Sequence, residues 1–433
     1  MTKRHGVCAA FLVAAGIPAT ALSAPKAYVG LFKDDAVAVL DVGSKRMLRT
    51  IPVPAGPHGV VITPDGRKVY VSSDGASTVS VIDTASDRVA RSIEVGPTPH
   101  GLAISPDGRQ IVASVFGANQ AAIIDAASDR VVGQVPVAEP HNSAIGADGR
   151  TAYVASQHPG APALVIVDLA ARTRVGEVPL ERTPRALAVD PDGSRVYFTV
   201  AGADAVQVLD TATNRVVGQI AVGPSPHHPV FLPGGRSGLV VSQGSGELEI
   251  LDPTTNTVAG SVTVGRAPHW IATSADGRTA YVTNEASNDV SVVDLASRTV
   301  TATVPVGNAP RKIAVQPGAT VAFSDHGTED VRGRTKVDVE ADEDYFAPTF
   351  LRGEPGQKLK VEIENDSRTL HTFSIPSQHI DVDVPPKGKA EVEVTFPHSG
   401  AVTFFCKFHG AMGMNGALLV RDAPQPVAAN YTN

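Results

Sequence analysis

Short runs of alternating apolar and polar residues fill most of the chain, and no stretch shows the apolar spacing of an amphipathic helix. One representative segment contains the runs GVVIT, KVYVSS, TVSVID and ARSIEV, separated by tight turns. Alternation with a period of two predicts β-strands that bury one face. The pattern therefore predicts an all-β protein built from short strands.

One unit recurs with a fixed period, and two markers identify it. The first is an apolar run that closes on Asp. The second is a PDGR-type turn, and Asp-Gly between two apolar runs predicts a tight hairpin in which both central residues have positive φ. Four strands in about 42 residues is the size of a propeller blade. One apolar run of each unit, which a further strand follows, closes on Asp41, Asp83, Asp125, Asp168, Asp210, Asp252 and Asp294. The turn glycines are Gly66, Gly108, Gly149, Gly193, Gly235 and Gly277.

The two ends of the repeat region are complementary. Residues 28–53 supply three strands of a unit, and residues 312–316 supply one further strand. Joining them in one blade gives seven blades and leaves no exposed sheet edge at the closure. The sequence therefore predicts a seven-bladed β-propeller over residues 24–324.

These repeats resemble the YVTN family of seven-bladed β-propellers. The tetrapeptide YVTN stands at Tyr281–Asn284, with the related forms YVSS at 70–73 and YVAS at 153–156. The resemblance implies the fold and says little about function, because propellers carry many activities and binding roles.

A different domain follows the repeats. Residues 325–334 form a polar linker, and residues 335–421 again alternate as strands but without the 42-residue period. Six such strands predict a small antiparallel β-sandwich or barrel. Residues 422–433 are predicted to be a loose tail.

Residues with the chemistry of a metal site lie in this second domain. Cys406 and His409 are followed by Met412 and Met414, and His371 lies upstream. A thiolate, two imidazoles and a distant thioether match the trigonal His₂Cys site with a weak axial Met that holds electron-transfer copper.

The domain resembles the cupredoxins of the plastocyanin and pseudoazurin type, whose ligand loop is Cys-x₂-His-x₄-Met. The resemblance implies that His371, Cys406, His409 and Met414 bind one type 1 copper ion, although Met412 leaves the axial ligand open. The overall architecture is similar to nitrous oxide reductase, which joins a propeller holding a histidine-ligated copper cluster to a cupredoxin domain. This chain lacks the two loop cysteines that the CuA centre of that enzyme needs.

One position eight residues before each turn glycine is basic in every unit. Because equivalent positions of the blades lie at equal height around the axis, these side chains are expected at one mouth of the channel. The ring consists of His58, His100, His141, Arg185, His227 and His269, with Arg311 in the seventh unit. Three interpretations stay open: a second copper or zinc site on the histidines, structural histidines that bond the backbone of the next blade, and an anion site around the two arginines.

The N-terminus and the composition add the cellular context. Lys3 and Arg4 precede an apolar stretch, which predicts a signal peptide over residues 1–23, with an uncleaved anchor as the alternative. Cleavage removes Cys8 and leaves Cys406 as the single cysteine in an oxidising compartment, where a thiol needs burial or a metal. A net charge of −7 without a basic cluster argues against nucleic acid as a partner.

Together these patterns predict a periplasmic or secreted copper protein, with no membrane span in the mature chain. The predicted activity is single-electron transfer with a periplasmic redox protein, and the propeller acts as a docking platform. Two alternatives remain: a reductase with a metal centre in the propeller channel, which implies a second copper, and a copper-binding or storage protein without turnover.

Overall fold

A computed structural model describes residues 25–232, 235, 237–275, 277–317, 320–322, 325–342, 345–378, 380–398, 400–406, 414–420 and 428–430. Within these residues the elements are β-strands and two single-turn 3₁₀ helices, Phe116–Ala118 and Pro376–Gln378. The prediction of an all-β protein is confirmed. In this part of the chain no helix is long and apolar enough to cross a membrane. The predicted signal peptide, residues 1–23, lies outside the described residues and stays a prediction.

Seven four-stranded antiparallel sheets form the propeller blades. Blade 1 contains the first three strands of the chain, β1 (Lys26–Leu31), β2 (Ala36–Asp41) and β3 (Arg46–Pro52). Blade 2 contains β4 (Pro57–Ile62), β5 (Lys68–Ser73), β6 (Thr78–Asp83) and β7 (Arg88–Glu94). Blade 3 contains β8 (Pro99–Ile104), β9 (Gln110–Val115), β10 (Gln120–Asp125) and β11 (Arg130–Pro136). Blade 4 contains β12 (Pro140–Ile145), β13 (Thr151–Ser156), β14 (Ala163–Asp168) and β15 (Thr173–Pro179).

The remaining blades repeat this order. Blade 5 contains β16 (Pro184–Val189), β17 (Arg195–Val200), β18 (Ala205–Asp210) and β19 (Arg215–Ala221). Blade 6 contains β20 (Pro226–Phe231), β21 (Gly238–Ser242), β22 (Glu247–Asp252) and β23 (Thr257–Thr263). Blade 7 contains β24 (Pro268–Thr273), β25 (Thr279–Asn284), β26 (Asp289–Asp294) and β27 (Thr299–Pro305). Strand β28 (Pro310–Val315) completes blade 1.

The ring closes through blade 1, as the sequence predicted. Strand β28 pairs antiparallel with β1, with Ala27 opposite Val315 and Val29 opposite Ile313. The innermost strands, β4, β8, β12, β16, β20, β24 and β28, each contact the next one, and β28 contacts β4. Pairing the two ends of the repeat removes an open sheet edge.

Polar side chains join neighbouring blades at equivalent places. Tyr28 donates to the Asp87 carboxylate of the next blade at 2.8 Å, and Lys26 pairs with the same carboxylate at 2.9 Å. Tyr70 and Asp129 repeat this contact one blade further on, at 2.6 Å. Since Asp87 is almost fully buried, these hydrogen bonds offset the cost of removing its charge from water.

The hairpin turns differ from the sequence prediction. Gly66 has a φ of 68°, but Asp65 before it is not among the residues with positive φ. Instead the Gly66 N–H donates to Thr63 O at 2.8 Å, and the Asp65 carboxylate accepts from Arg67 N–H at 3.0 Å. The prediction that both central residues have positive φ is therefore wrong, because the aspartate side chain stabilises a longer turn in which only glycine enters the left-handed region.

The second domain is a two-sheet sandwich. The strands that follow the blades are β29 (Thr320–Ala322), β30 (Thr328–Asp330), β31 (Lys336–Ala341), β32 (Phe346–Ala347), β33 (Phe350–Gly353), β34 (Lys358–Asn365), β35 (His371–Ile375), β36 (Ile380–Val384), β37 (Lys389–Thr395), β38 (Ala401–Phe405), β39 (Asn415–Val420) and β40 (Ala428–Asn430). Strands β29 and β40 pair with each other in a separate two-stranded sheet, and the other ten form the sandwich. One sheet has the order β30-β33-β39-β38-β35-β36, and the other has the order β32-β31-β34-β37. Both sheets contain parallel pairs, β30–β33 and β33–β39 in the first and β31–β34 in the second. The prediction of a purely antiparallel domain is therefore wrong, because strands joined by long connections can pair in the same direction. Alternate residues of both sheets form one core around Phe346, Phe373 and Phe404.

Two short strands lie in segments that the sequence assigned to the linker and the tail. Strand β30, within the predicted linker 325–334, pairs parallel with β33 of the sandwich. Strand β40, within the predicted tail 422–433, pairs antiparallel with β29. Three-residue strands leave too little alternation to be recognised in a sequence, because their pairing depends on neighbours distant in the chain.

Candidate metal centre

Two neighbouring strands of the sandwich bring the predicted copper ligands together. His371 is the first residue of β35, and Cys406 follows the last residue of β38. The two strands are paired through Ser374 and Phe405. Adjacent strands of opposite direction place the start of one beside the end of the other, so residues 35 positions apart meet at one end of the sheet.

The ligand atoms lie at a distance that suits one metal ion. His371 Nδ1 is 3.7 Å from Cys406 Sγ. Metal bonds of about 2.0 Å to nitrogen and about 2.3 Å to sulfur that meet at about 120° separate the two donor atoms by about 3.7 Å. His371, Cys406 and Met414 are each fully buried. The donor set and the spacing therefore fit a trigonal site without rearrangement of these two side chains.

Hydrogen bonds fix the orientation of these ligands. His371 Nε2 lies 2.8 Å from Ser367 Oγ and 3.3 Å from Thr369 Oγ1, so that Nδ1 faces the sulfur. The backbone N–H of Thr372 donates to Cys406 Sγ at 3.4 Å. A metal-ligating imidazole is normally oriented through its second nitrogen in this way.

Met414 is held close to the cysteine by the backbone. Cys406 N–H donates to Met414 O at 3.1 Å, and both side chains belong to the same buried core. His409 and Met412 lie outside the described residues, so their part in the site stays a prediction.

The basic ring of the propeller lies at the mouth of the channel, on the innermost strands. The His58 and His100 rings are stacked with centroids 3.7 Å apart, and His141 follows His100 at 4.1 Å. On the other side His227 and His269 are 4.2 Å apart. The structure thus brings the five histidines that the sequence singled out into one cluster.

The two arginines of the ring are positioned beside the second histidine pair. Arg311 Nη1 donates to His269 Nε2 at 3.1 Å and its Nη2 pairs with Glu285 at 3.0 Å. Arg185 lies close enough to His227 to contribute to the lowering of its pKa.

Burial keeps four of these imidazoles, those of His58, His141, His227 and His269, neutral near neutral pH. It lowers the pKa of His58 well below its usual value, and the neighbouring His100 lowers it further. Burial and the Arg185 charge lower the pKa of His227 to about 3. Burial likewise lowers the pKa values of His141 and His269. Neutral imidazoles offer lone pairs to a metal ion.

The structural interpretation of the ring accounts for only part of it. His141 Nδ1 bonds the backbone oxygen of Arg185 in the next blade at 3.0 Å. The Nδ1 atoms of His58, His227 and His269, and the Nε2 atom of His100, are buried and have no hydrogen-bond partner. A purely structural filler would be expected to satisfy these atoms.

Two groups at this mouth were not identified from the sequence. Asp74 accepts a hydrogen bond from His100 Nδ1 at 3.0 Å, and the Lys312 amine donates a hydrogen bond to Asn142 Oδ1 at 2.7 Å. The repeat could have located Asp74, because the position just after the second strand of each blade can be aligned from blade to blade. That position carries Phe32, Asp74, Phe116, Gln157, Ala201, Gln243 and Glu285.

Comparisons with known proteins agree with both domains. Residues 14–149 match the family model of the YNCE-like beta-propeller, and residues 310–420 match that of the Cupredoxin-like domain. No curated protein matches the chain.

Solved structures with the same fold are distant in sequence. A Kuenenia stuttgartiensis hydrazine synthase chain is 20% identical, with a TM-score of 0.59 over 66% of this chain and 99% of that one. A functionally unknown protein from Desulfotomaculum acetoxidans is 14% identical, with a TM-score of 0.57 over 67% and 98%. Dihydro-heme d1 dehydrogenase NirN in complex with DHE is 16% identical, with a TM-score of 0.51 over 66% of each chain. At such identities the likeness shows the fold alone: the chain is a β-propeller followed by a cupredoxin-like domain.

Proposed function

We propose that this protein is an exported copper protein that transfers single electrons through a type 1 site formed by His371, Cys406, His409 and Met414. The observation that supports this best is the 3.7 Å separation of His371 Nδ1 and Cys406 Sγ among fully buried side chains. Copper bound by this donor set supplies a one-electron redox couple.

The residues around the site have separate roles in this proposal. Ser367 and Thr369 hold the His371 ring in position, which reduces the rearrangement needed when the charge of the site changes. The Thr372 N–H stabilises negative charge on the Cys406 sulfur. Burial keeps water away from the sulfur, and His409 is the proposed exit for the electron.

The propeller is proposed to be the docking platform for a periplasmic redox protein. A copper-binding or storage role without turnover is the alternative for the cupredoxin-like domain. A reductase is a second candidate for the whole chain, and the observation that favours it is the cluster of five imidazoles at the channel mouth.

The colour of the copper-loaded full-length chain tests the type 1 assignment. A cysteine thiolate on Cu(II) in this geometry gives the intense colour of blue-copper proteins, so the oxidised chain should be blue and Cys406→Ser should abolish the colour. His326→Ala is the matched control, since His326 stacks on Tyr345 of the same domain at 3.7 Å and has no part in the proposed site. A colourless Cu(II)-loaded chain contradicts the proposal, and a blue chain that does not bleach and recover with a reductant and an oxidant favours storage.

A further inference from the structure

The histidine cluster at the channel mouth is chemically asymmetric. On one side, His58 and His100 are stacked next to the carboxylate of Asp74. On the other side, His227 and His269 lie beside the guanidinium groups of the ring. A metal cation is attracted to the carboxylate side and repelled from the guanidinium side. Only the first side therefore suits a metal ion.

The carboxylate lies at ligand distance from one histidine. The two Asp74 oxygens are 3.0 and 3.1 Å from His100 Nδ1. Metal–nitrogen and metal–oxygen bonds of about 2.0–2.2 Å that meet at about 90° separate their donor atoms by about 3 Å. An ion at this place takes the position of the proton between His100 Nδ1 and Asp74, and a neutral His100 then carries its proton on Nε2.

One nitrogen of the other histidine has no other use in the structure. His58 Nδ1 is buried without a hydrogen-bond partner. The His58 side chain is 3% exposed. A buried polar atom that is left unpaired destabilises the folded chain, and a bound ion removes that penalty.

The three side chains are close enough to bind one ion. One ligand atom from each of His58, Asp74 and His100 lies within 4.8 Å of the other two. Metal–nitrogen and metal–oxygen bonds of about 2.0–2.2 Å bring ligand atoms to somewhat shorter separations, which rotation of the imidazole rings can supply. The carboxylate also offsets the charge of Lys312, which is buried under the same mouth.

We propose that His58, His100 and Asp74 bind one divalent first-row transition-metal ion at the mouth of the propeller channel. Two imidazoles and one carboxylate are the donor set of Cu²⁺, Ni²⁺ and Zn²⁺ sites, and Cu²⁺ binds most tightly to such donors. Three protein ligands leave coordination positions open to a small molecule. This site is separate from the cupredoxin-like domain and does not depend on the type 1 proposal.

The test uses the full-length chain with Cys406→Ser and His371→Ala, which removes two proposed ligands of the other site. After equilibrium dialysis against Cu²⁺, this variant should retain one ion per chain, with nitrogen hyperfine splitting in its electron paramagnetic resonance spectrum. Adding Asp74→Asn or His100→Gln should weaken binding at least tenfold. Circular dichroism shows whether each variant keeps its strands, and Asp74→Asn, a near-isosteric change, decides the outcome if His100→Gln fails to fold.

His227→Gln in the same background is the matched control. It changes a buried imidazole of the same ring on the guanidinium side, so copper binding should stay within about twofold of the parent. A parent variant that retains no ion overturns the proposal. Equal losses in His227→Gln and His100→Gln overturn the assignment to these three residues.

Discussion

Replacing Lys312 with methionine should change how the stability of the propeller depends on pH. Lys312 is 1% exposed, and its amine bonds the neutral amide of Asn142 at 2.7 Å and lies 3.9 Å from the centre of the Trp270 ring. Burial lowers the pKa of Lys312 to about 7, and the charge of Asp74 opposes part of that effect. In the unfolded chain the lysine pKa returns to about 10.4.

The size and sign of the effect follow from these two values. Between pH 7 and 10 the unfolded chain binds more protons than the folded chain, so the free energy of unfolding rises with pH. Each unit of pKa difference corresponds to about 1.4 kcal/mol, so the charged lysine costs about 5 kcal/mol below pH 7. From pH 7.5 to 9.5 the wild type should gain about 2.5 kcal/mol relative to Lys312→Met.

Urea unfolding followed by tryptophan fluorescence measures this difference, because Trp270 is the single tryptophan and lies in the propeller. The change of the free energy of unfolding with pH is more informative than its value at one pH, because the variant also leaves Asn142 Oδ1 without the Lys312 donor. Lys33→Met, at an exposed lysine, is the control and should track the wild type across this pH range. A Lys312→Met variant that also tracks the wild type would refute the argument that a charged lysine is penalised at the channel mouth.

Three further predictions concern the metal loop, the turns and the channel wall. If Met414 is the axial ligand, Met414→Gln should shift the reduction potential while copper stays bound, whereas Met412→Gln should leave it near the wild-type value; cyclic voltammetry of both variants decides between them. The Ser86 hydrogen bonds lower the pKa of Asp83, so Ser86→Ala should reduce stability by up to about 1 kcal/mol at pH 6, and urea titrations should show this loss fading as the pH falls below about 4. Gly101→Ala should destabilise the propeller by about 1–3 kcal/mol in thermal unfolding, because its Cβ would lie 2.5 Å from a carbonyl oxygen of the next inner strand; an unchanged transition temperature would show that the wall can move aside.

The sequence alone determined the strands, the seven blades and the way the ring closes. Each of these depends on local alternation and on a repeat of about 42 residues. Because successive side chains of a strand point to opposite faces of its sheet, such a pattern corresponds directly to the strands. The same period placed His58, His100 and His269 at one height of the channel. The order and spacing of cysteine, histidine and methionine residues likewise identified the cupredoxin-like domain.

The turn geometry depends on local hydrogen bonds, and the partners of the ring residues depend on how the blades pack. Asp65 accepts hydrogen bonds from the Arg67 N–H and the Thr63 hydroxyl and does not adopt a positive φ, which the Asp-Gly pair alone did not reveal. Asp74 meets His100 because adjacent blades pack side by side. Lys312 is buried because seven inner strands enclose it.

Only the tertiary structure therefore decided which groups face one another at the two candidate sites. The 3.7 Å between His371 Nδ1 and Cys406 Sγ is set by the pairing of two strands that are distant in sequence. The burial and the local charge of a side chain at the channel mouth likewise depend on side chains from all seven blades. A sequence pattern carries the periodicity of each strand, but the distance between side chains on different strands depends on how those strands pack.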